Sequence, residues 1–225
     1  VEPESVFYLI QAEMKKATEL DFPTYLVECY HTIRHDVEMD TRIAYRQTTF
    51  ERDNETVEVT LDAILNRLQE DYCLTDAQRQ FLFDTETSFE IQVTEPRQKM
   101  IEEYFRLKQA GNDVLLVSDM YLPESVIHQM VTKADSRFAN EKIYLSATLG
   151  YQKSLGTLFE YVFFDIDYRY SRWVHHGDNK RADGSVPRSY GIVTYNHDMD
   201  TFRPYEKALV DQAPIVYRND AYRLA

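Results

Sequence analysis

The chain has 225 residues, with 38 acidic against 25 basic side chains and a formal charge of −13 at pH 7. That length buries a substantial core, in one domain with an insertion or in two small ones. The acidic balance repels DNA and RNA on average and argues against nucleic-acid binding, and no apolar run is long enough to span a bilayer. No signal peptide is visible, although the first residue is Val1 rather than Met. Cys29 and Cys73 match no metal or redox spacing and read as free thiols of a reducing cytoplasm.

All six glycines lie between Gly111 and Gly191. The glycine-free first half therefore lacks the tight turns of hairpins and phosphate loops, and its apolar spacing predicts helices throughout. Val6, Leu9, Ile10 and Met14 form one stripe; Leu61, Ile64, Leu65 and Leu68 form another, with Thr60 placed to cap it. A further helix starts at Thr75 and can carry Glu86 and Glu90 on one face. Next, Pro96 marks a helix start, Met100, Ile101, Tyr104 and Phe105 its buried face, and Gly111 its end. Strands are expected over 114–117, 142–146, 172–175 and 191–195, alternating with helices over 126–133 and 155–163. This alternation predicts an α/β fold with a doubly wound, mostly parallel Rossmann-like sheet, into which the helical first half is inserted.

Chemistry concentrates in three places. Ser118 ends the apolar run Val114-Leu-Leu-Val-Ser-Asp, where open α/β sheets place their ligand crevice. Its hydroxyl and the N–H groups of Asp119 and its successor are placed to hold a phosphoryl oxygen, or Ser118-Asp119 simply terminates a strand or supplies a helix cap before Val126. Lys153 precedes a helix, where a cation can offset phosphate charge during transfer or stand solvated. In His176-Gly-Asp-Asn-Lys-Arg-Ala-Asp183, the glycine lets the backbone turn and projects Asp178, a hard oxygen ligand suited to Mg²⁺. Asp183 then orients a metal-bound water or binds Lys153, while the bland alternative is an Asp-Asn turn. Of His175 and His176, one faces the core and one the crevice. His31 and His35 lack a third ligand and read as solvent-facing or capping. Phe163-Phe-Asp-Ile-Asp167 imitates a nucleophile motif, but Tyr161, Tyr168, Tyr170 and Trp173 around it favour aromatic packing.

Ser118, Lys153 and the Asp178/Asp183 pair, in that order, resemble the second, third and fourth motifs of the haloacid dehalogenase (HAD) superfamily. The wording Ser-Asp-Met-Tyr-Leu-Pro, the later His-Gly-Asp-Asn, the Glu58-Val-Thr-Leu-Asp-Ala-Ile64 segment and the Glu86/Glu90 pair are similar to a bacterial subgroup. Its members occur beside, or fused to, glycosyltransferases of surface-polysaccharide assembly. The resemblance covers roughly residues 1–195 and implies a helical cap over 1–92, a HAD-like core over 93–195, and an extension or lead into another domain over 196–225. It implies Mg²⁺-dependent hydrolysis of a small phosphomonoester, such as a sugar phosphate, through an aspartyl-phosphate. Ser118, Asp119 and Lys153 would bind phosphate, Ser118, Lys153 and Asp183 would act in catalysis, and Asp178 would hold the metal. The family's nucleophilic Asp-x-Asp is expected just before Val1-Glu-Pro-Glu-Ser-Val-Phe7, outside this sequence. The other reading is a catalytically degenerate module that binds or scaffolds within a larger polysaccharide-assembly protein.

Overall fold

The computed structural model describes residues 3–52 and 58–197. Helix α1 (Pro3–Lys16) buries Val6, Phe7, Ile10 and Met14. Phe7 widens the apolar face on one side, so Leu9, expected in the stripe, is left at its edge and is 39% exposed. Helix α2 (Thr24–Arg52) packs against α1 and breaks regular geometry at Cys29. Helix α3 (Leu61–Tyr72) starts where the Thr60 hydroxyl accepts the Ala63 N–H at 3.1 Å, and it buries all four stripe residues. Helix α4 (Asp76–Val93) opens with a capping box between Thr75 and Gln78. It turns Glu86 and Glu90 inward, and both are buried.

Helix α5 (Gln98–Gln109) begins two residues after Pro96, with Arg97 as its cap residue. Then come β1 (Leu116–Ser118), α6 (Glu124–Ala134), β2 (Ile143–Leu145), α7 (Ser146–Leu149) and α8 (Thr157–Asp165). Strand β3 (Val174–Gly177), a π-helical turn over Lys180–Ser185, α9 (Val186–Ser189) and β4 (Val193–Asn196) complete the described chain. Strands β1 and β2 pair in parallel with Ser118 opposite Leu145; β3 and β4 pair in parallel with Gly177 opposite Asn196.

The doubly wound Rossmann-like sheet is thus overturned. About two-thirds of the described residues are helical, and the four short strands among them form two separate two-stranded sheets. The reason lies in the strands themselves. Strands of a doubly wound sheet are covered on both faces and read as continuous apolar runs. Strand β3 instead alternates exposed and half-buried residues, and β4 leaves Val193 and Tyr195 largely open. Only β2 is buried along its length.

One apolar core joins the early helices to the first strand pair. Ile10, Leu26, Leu61, Ile64, Leu65, Leu68 and Leu82 share it with Leu122, Val126, Ile143 and Leu145. Each such fully buried aliphatic side chain contributes about 1.5–3 kcal/mol of transfer free energy, so this junction is a main source of stability. Among the described residues no helix is long and apolar enough to cross a membrane. Val1, Glu2 and residues 198–225, which include most of the expected C-terminal extension, lie outside the described residues.

Candidate functional site

Residues far apart in sequence meet where β1 and β3 end. Ser118 closes β1 and is half-buried. It does not cap α6, whose cap residue is Pro123. The next residue, Asp119, turns its carboxylate onto the neighbouring loop and accepts the Lys153 backbone N–H at 3.2 Å. Asp119 is therefore a tether between two loops. The N–H after it is not open to an anion either, as the sequence suggested: Met120 N–H donates to the Ser146 hydroxyl at 2.9 Å, and that hydroxyl donates back to the Met120 carbonyl at 3.2 Å.

Lys153 sits in a single 3₁₀ turn, Lys153–Leu155, and α8 begins only at Thr157, later than its sequence suggests. Its Nζ reaches Asp183 Oδ1 at 2.7 Å, and both side chains are mostly buried. Asp183 is carried inward by the π-helical turn that Asn179 starts, with the Asn179 side chain accepting the N–H groups of Arg181 and Ala182 at 2.9 Å. Such turns are rare and frequently mark functional positions. His175 Nε2 lies 2.9 Å from Asp183 Oδ1, and the Asn179 N–H donates to Oδ2 at 3.0 Å. Burial pushes the Asp183 carboxyl up, but the His175 hydrogen bond, the Lys153 charge and the Asn179 N–H outweigh it and hold the group well below the usual carboxylate range. Asp183 is thus a fixed anion that aims the lysine.

Gly177 makes this arrangement possible through space and not through φ: a Cβ built there would run into the Asp183 side chain. Beyond it, Asp178 stays 42% exposed at its side chain, and the nearest cation in contact is Arg97, whose Nη2 lies 3.9 Å from Oδ2. His176 points elsewhere, pairing its Nδ1 with His197 Nε2 at 2.9 Å. His35 is largely exposed, and the His31 ring stacks on Tyr8.

The Asp-x-Asp look-alike lies in an aromatic cluster. The Phe163 ring meets Trp173 at 4.9 Å between centroids, and Trp173 meets Tyr170 at 5.9 Å. Asp165 accepts hydrogen bonds from Lys142 Nζ at 2.7 Å and from the Tyr144 hydroxyl at 2.6 Å. That carboxylate is bonded to Tyr144 of β2 and to Lys142 just before it, and not to the Lys153 cluster.

Sequence reasoning missed Ser146, fully buried directly after β2 as the first residue of α7. Its position after Ile143-Tyr-Leu mirrors Ser118 after its own apolar run, and that symmetry was the available signal. As for a metal, among the described residues no group of three or more His, Cys, Asp or Glu is placed to hold one. Mg²⁺ needs only one or two protein carboxylates when water and phosphate fill its shell. Asp178 fits that part, whereas both Asp183 oxygens are already committed to protein partners. Comparison with known proteins finds no matching family model and no curated relative.

Proposed function

We propose that this chain carries the phosphate site of a HAD-like, Mg²⁺-dependent phosphomonoester hydrolase acting on a small phosphorylated metabolite, a sugar phosphate being the first candidate. The observation that carries the reading is the joining of three sequence-distant motifs through one residue. Lys153 donates from its backbone to Asp119, next to Ser118, and from its ammonium to Asp183 in the Gly-Asp-Asn turn. In this reading Ser118 donates its hydroxyl to a phosphoryl oxygen, and Lys153 offsets the charge on that group as the bond to the leaving oxygen breaks. Asp183 and His175 fix the direction of the ammonium. Asp178 would contribute to the Mg²⁺ shell, and the ion would supply further charge neutralisation at the phosphate. The nucleophilic aspartate is assigned to none of the residues of this sequence. Cytoplasmic placement belongs to the same proposal, supported by the unpaired Cys29 and Cys73.

A second reading draws on how the site uses its acids. Asp119 and Asp183 both accept protein hydrogen bonds, which leaves neither disposed to attack phosphorus. That favours a module that binds phosphate without turning it over, within a larger polysaccharide-assembly protein or beside a glycosyltransferase.

Calorimetric titration with inorganic phosphate, with and without Mg²⁺, tests both. Binding that Mg²⁺ tightens, that Lys153→Gln weakens at least tenfold, and that loses its Mg²⁺ dependence in Asp178→Asn is the expected result. No phosphate binding by the wild-type chain would sink the site altogether. Release of phosphate from p-nitrophenyl phosphate, measured on the native polypeptide with whatever precedes Val1 in it, separates the two readings: turnover supports the hydrolase, and binding without turnover supports the module.

A further inference from the structure

Arg34 has no exposed surface, yet it lies in a helix far in sequence from every residue of the candidate site. All of its nitrogens are engaged. Nε and Nη2 donate to the two Glu86 oxygens at 3.1 and 2.7 Å, and Nη1 donates to Glu38 at 3.1 Å. The guanidinium, its plane fixed by that two-point contact, lies 5.1 Å from the centroid of the Tyr121 ring and 4.8 Å from that of Phe7. Tyr121 belongs to the turn that follows Ser118, and its carbonyl accepts the Leu61 N–H at 2.8 Å at the start of α3.

From Arg34 the charges continue in alternation. Glu38 also pairs with Arg42, and Arg42 with Glu58, whose carboxylate accepts the Val59 N–H at 2.8 Å. Glu58 in turn lies within electrostatic reach of Asp119, which adds to burial in pushing its carboxyl up against the pull of Arg42. The run Glu86–Arg34–Glu38–Arg42–Glu58 therefore starts inside the helices and ends beside the loop that Asp119 ties to Lys153.

Stability alone is a poor account of such a group. Well-packed apolar residues replace a buried ion pair at little or no cost, whereas removing one partner strands a charge. What the forked pair adds to packing is a directional two-point contact that fixes the plane of the guanidinium. Stacked on Tyr121 and forked onto Glu86, Arg34 acts as a spacer of fixed length between α4 and the loop.

We propose that Arg34 is a positioning residue: through Tyr121, the helical layer sets where the Ser118–Tyr121 loop stands, and so the geometry of phosphate binding, without Arg34 touching the ligand. The loop's role in phosphate binding rests on the reading above; its dependence on Arg34 does not.

The test is amide hydrogen exchange in the double variant Arg34→Met/Glu86→Leu, with Arg34→Lys as a second variant that keeps the charge but not the fork. Two amides report on the loop, Met120 N–H, held by Ser146, and Leu61 N–H, held by Tyr121. Both are expected to exchange at least tenfold faster in the folded double variant, with the α5 amides unchanged, and inorganic phosphate affinity is expected to fall at least fivefold. Wild-type exchange at Met120 and Leu61 in a folded variant would overturn the proposal. So would failure of both variants to fold, which would make Arg34 a residue of the fold and not of the loop. If the wild-type chain binds no phosphate, the phosphate reading falls, and the two amides still decide what Arg34 does.

Discussion

Among individual residues, Glu90 has the clearest consequence in solution. Burial first, and then repulsion from Glu86, push its carboxyl up to about 7 against the pull of Arg34, and its Oε1 has no partner among the described residues. Between the ordinary glutamate value near 4.5 and that raised value, the folded chain holds a proton that the unfolded chain has released. Stability from this group is therefore complete below the lower figure and lost as the pH rises through the upper one, with a ceiling of about 3 kcal/mol. Asp183 works in the opposite sense, but its carboxyl is held low, so its contribution is lost only on acidification below the ordinary aspartate range. Urea unfolding at about pH 5 and about pH 8 should show the wild-type chain weakening across this interval. Glu90→Gln should flatten the slope and be the more stable protein at the higher pH. An unchanged slope in the variant would assign the titration elsewhere.

At the scale of elements, helix ends are set by single side chains, and their loss is measurable. Thr75→Ala removes the hydroxyl that accepts the Gln78 N–H, and leaves the Thr75 N–H to the Gln78 side chain, at the start of α4, the helix that carries Glu86 and Glu90. It should cost about 1 kcal/mol in chemical unfolding, with secondary-structure content unchanged by circular dichroism. Elements are also where sequence reading divides between success and failure. The α3 stripe and its Thr60 cap are legible, because four leucines and isoleucines at helical spacing admit one buried face and a hydroxyl before them has one use. Strands β1 and β2 were also legible as short apolar runs. Their partners were not, because a run of three or four residues carries no information about what lies alongside it, and alternation of strand and helix is shared by many topologies. At the site, Lys153 and Asp183 are legible as complementary charges. The bond from Lys153 N–H to Asp119 leaves no trace in sequence, because any residue but proline supplies that donor.

At the scale of the molecule, the apolar core ignores the boundary that composition draws. Leu61, Leu65 and Leu82 from the glycine-free half pack in the same cluster as Leu122, Val126 and Leu145 from the other. Lys133 of α6 also donates to the carbonyls of Ile91 and Gln92 at the end of α4, at 2.7 and 2.6 Å. The connection through Thr94 and Glu95, by contrast, has no regular secondary structure. A chain severed after Glu95 therefore loses one peptide bond and keeps the shared apolar cluster and the Lys133 hydrogen bonds. The two pieces should co-purify and give the circular dichroism of the intact protein when mixed, while each alone lacks a cooperative unfolding transition. A first piece that melted cooperatively by itself would show that the cluster shared between the halves is not what holds it folded. The nicked protein should thus pass through gel filtration unnoticed and come apart only in denaturant, with a midpoint that rises with its concentration, as for any two-chain assembly.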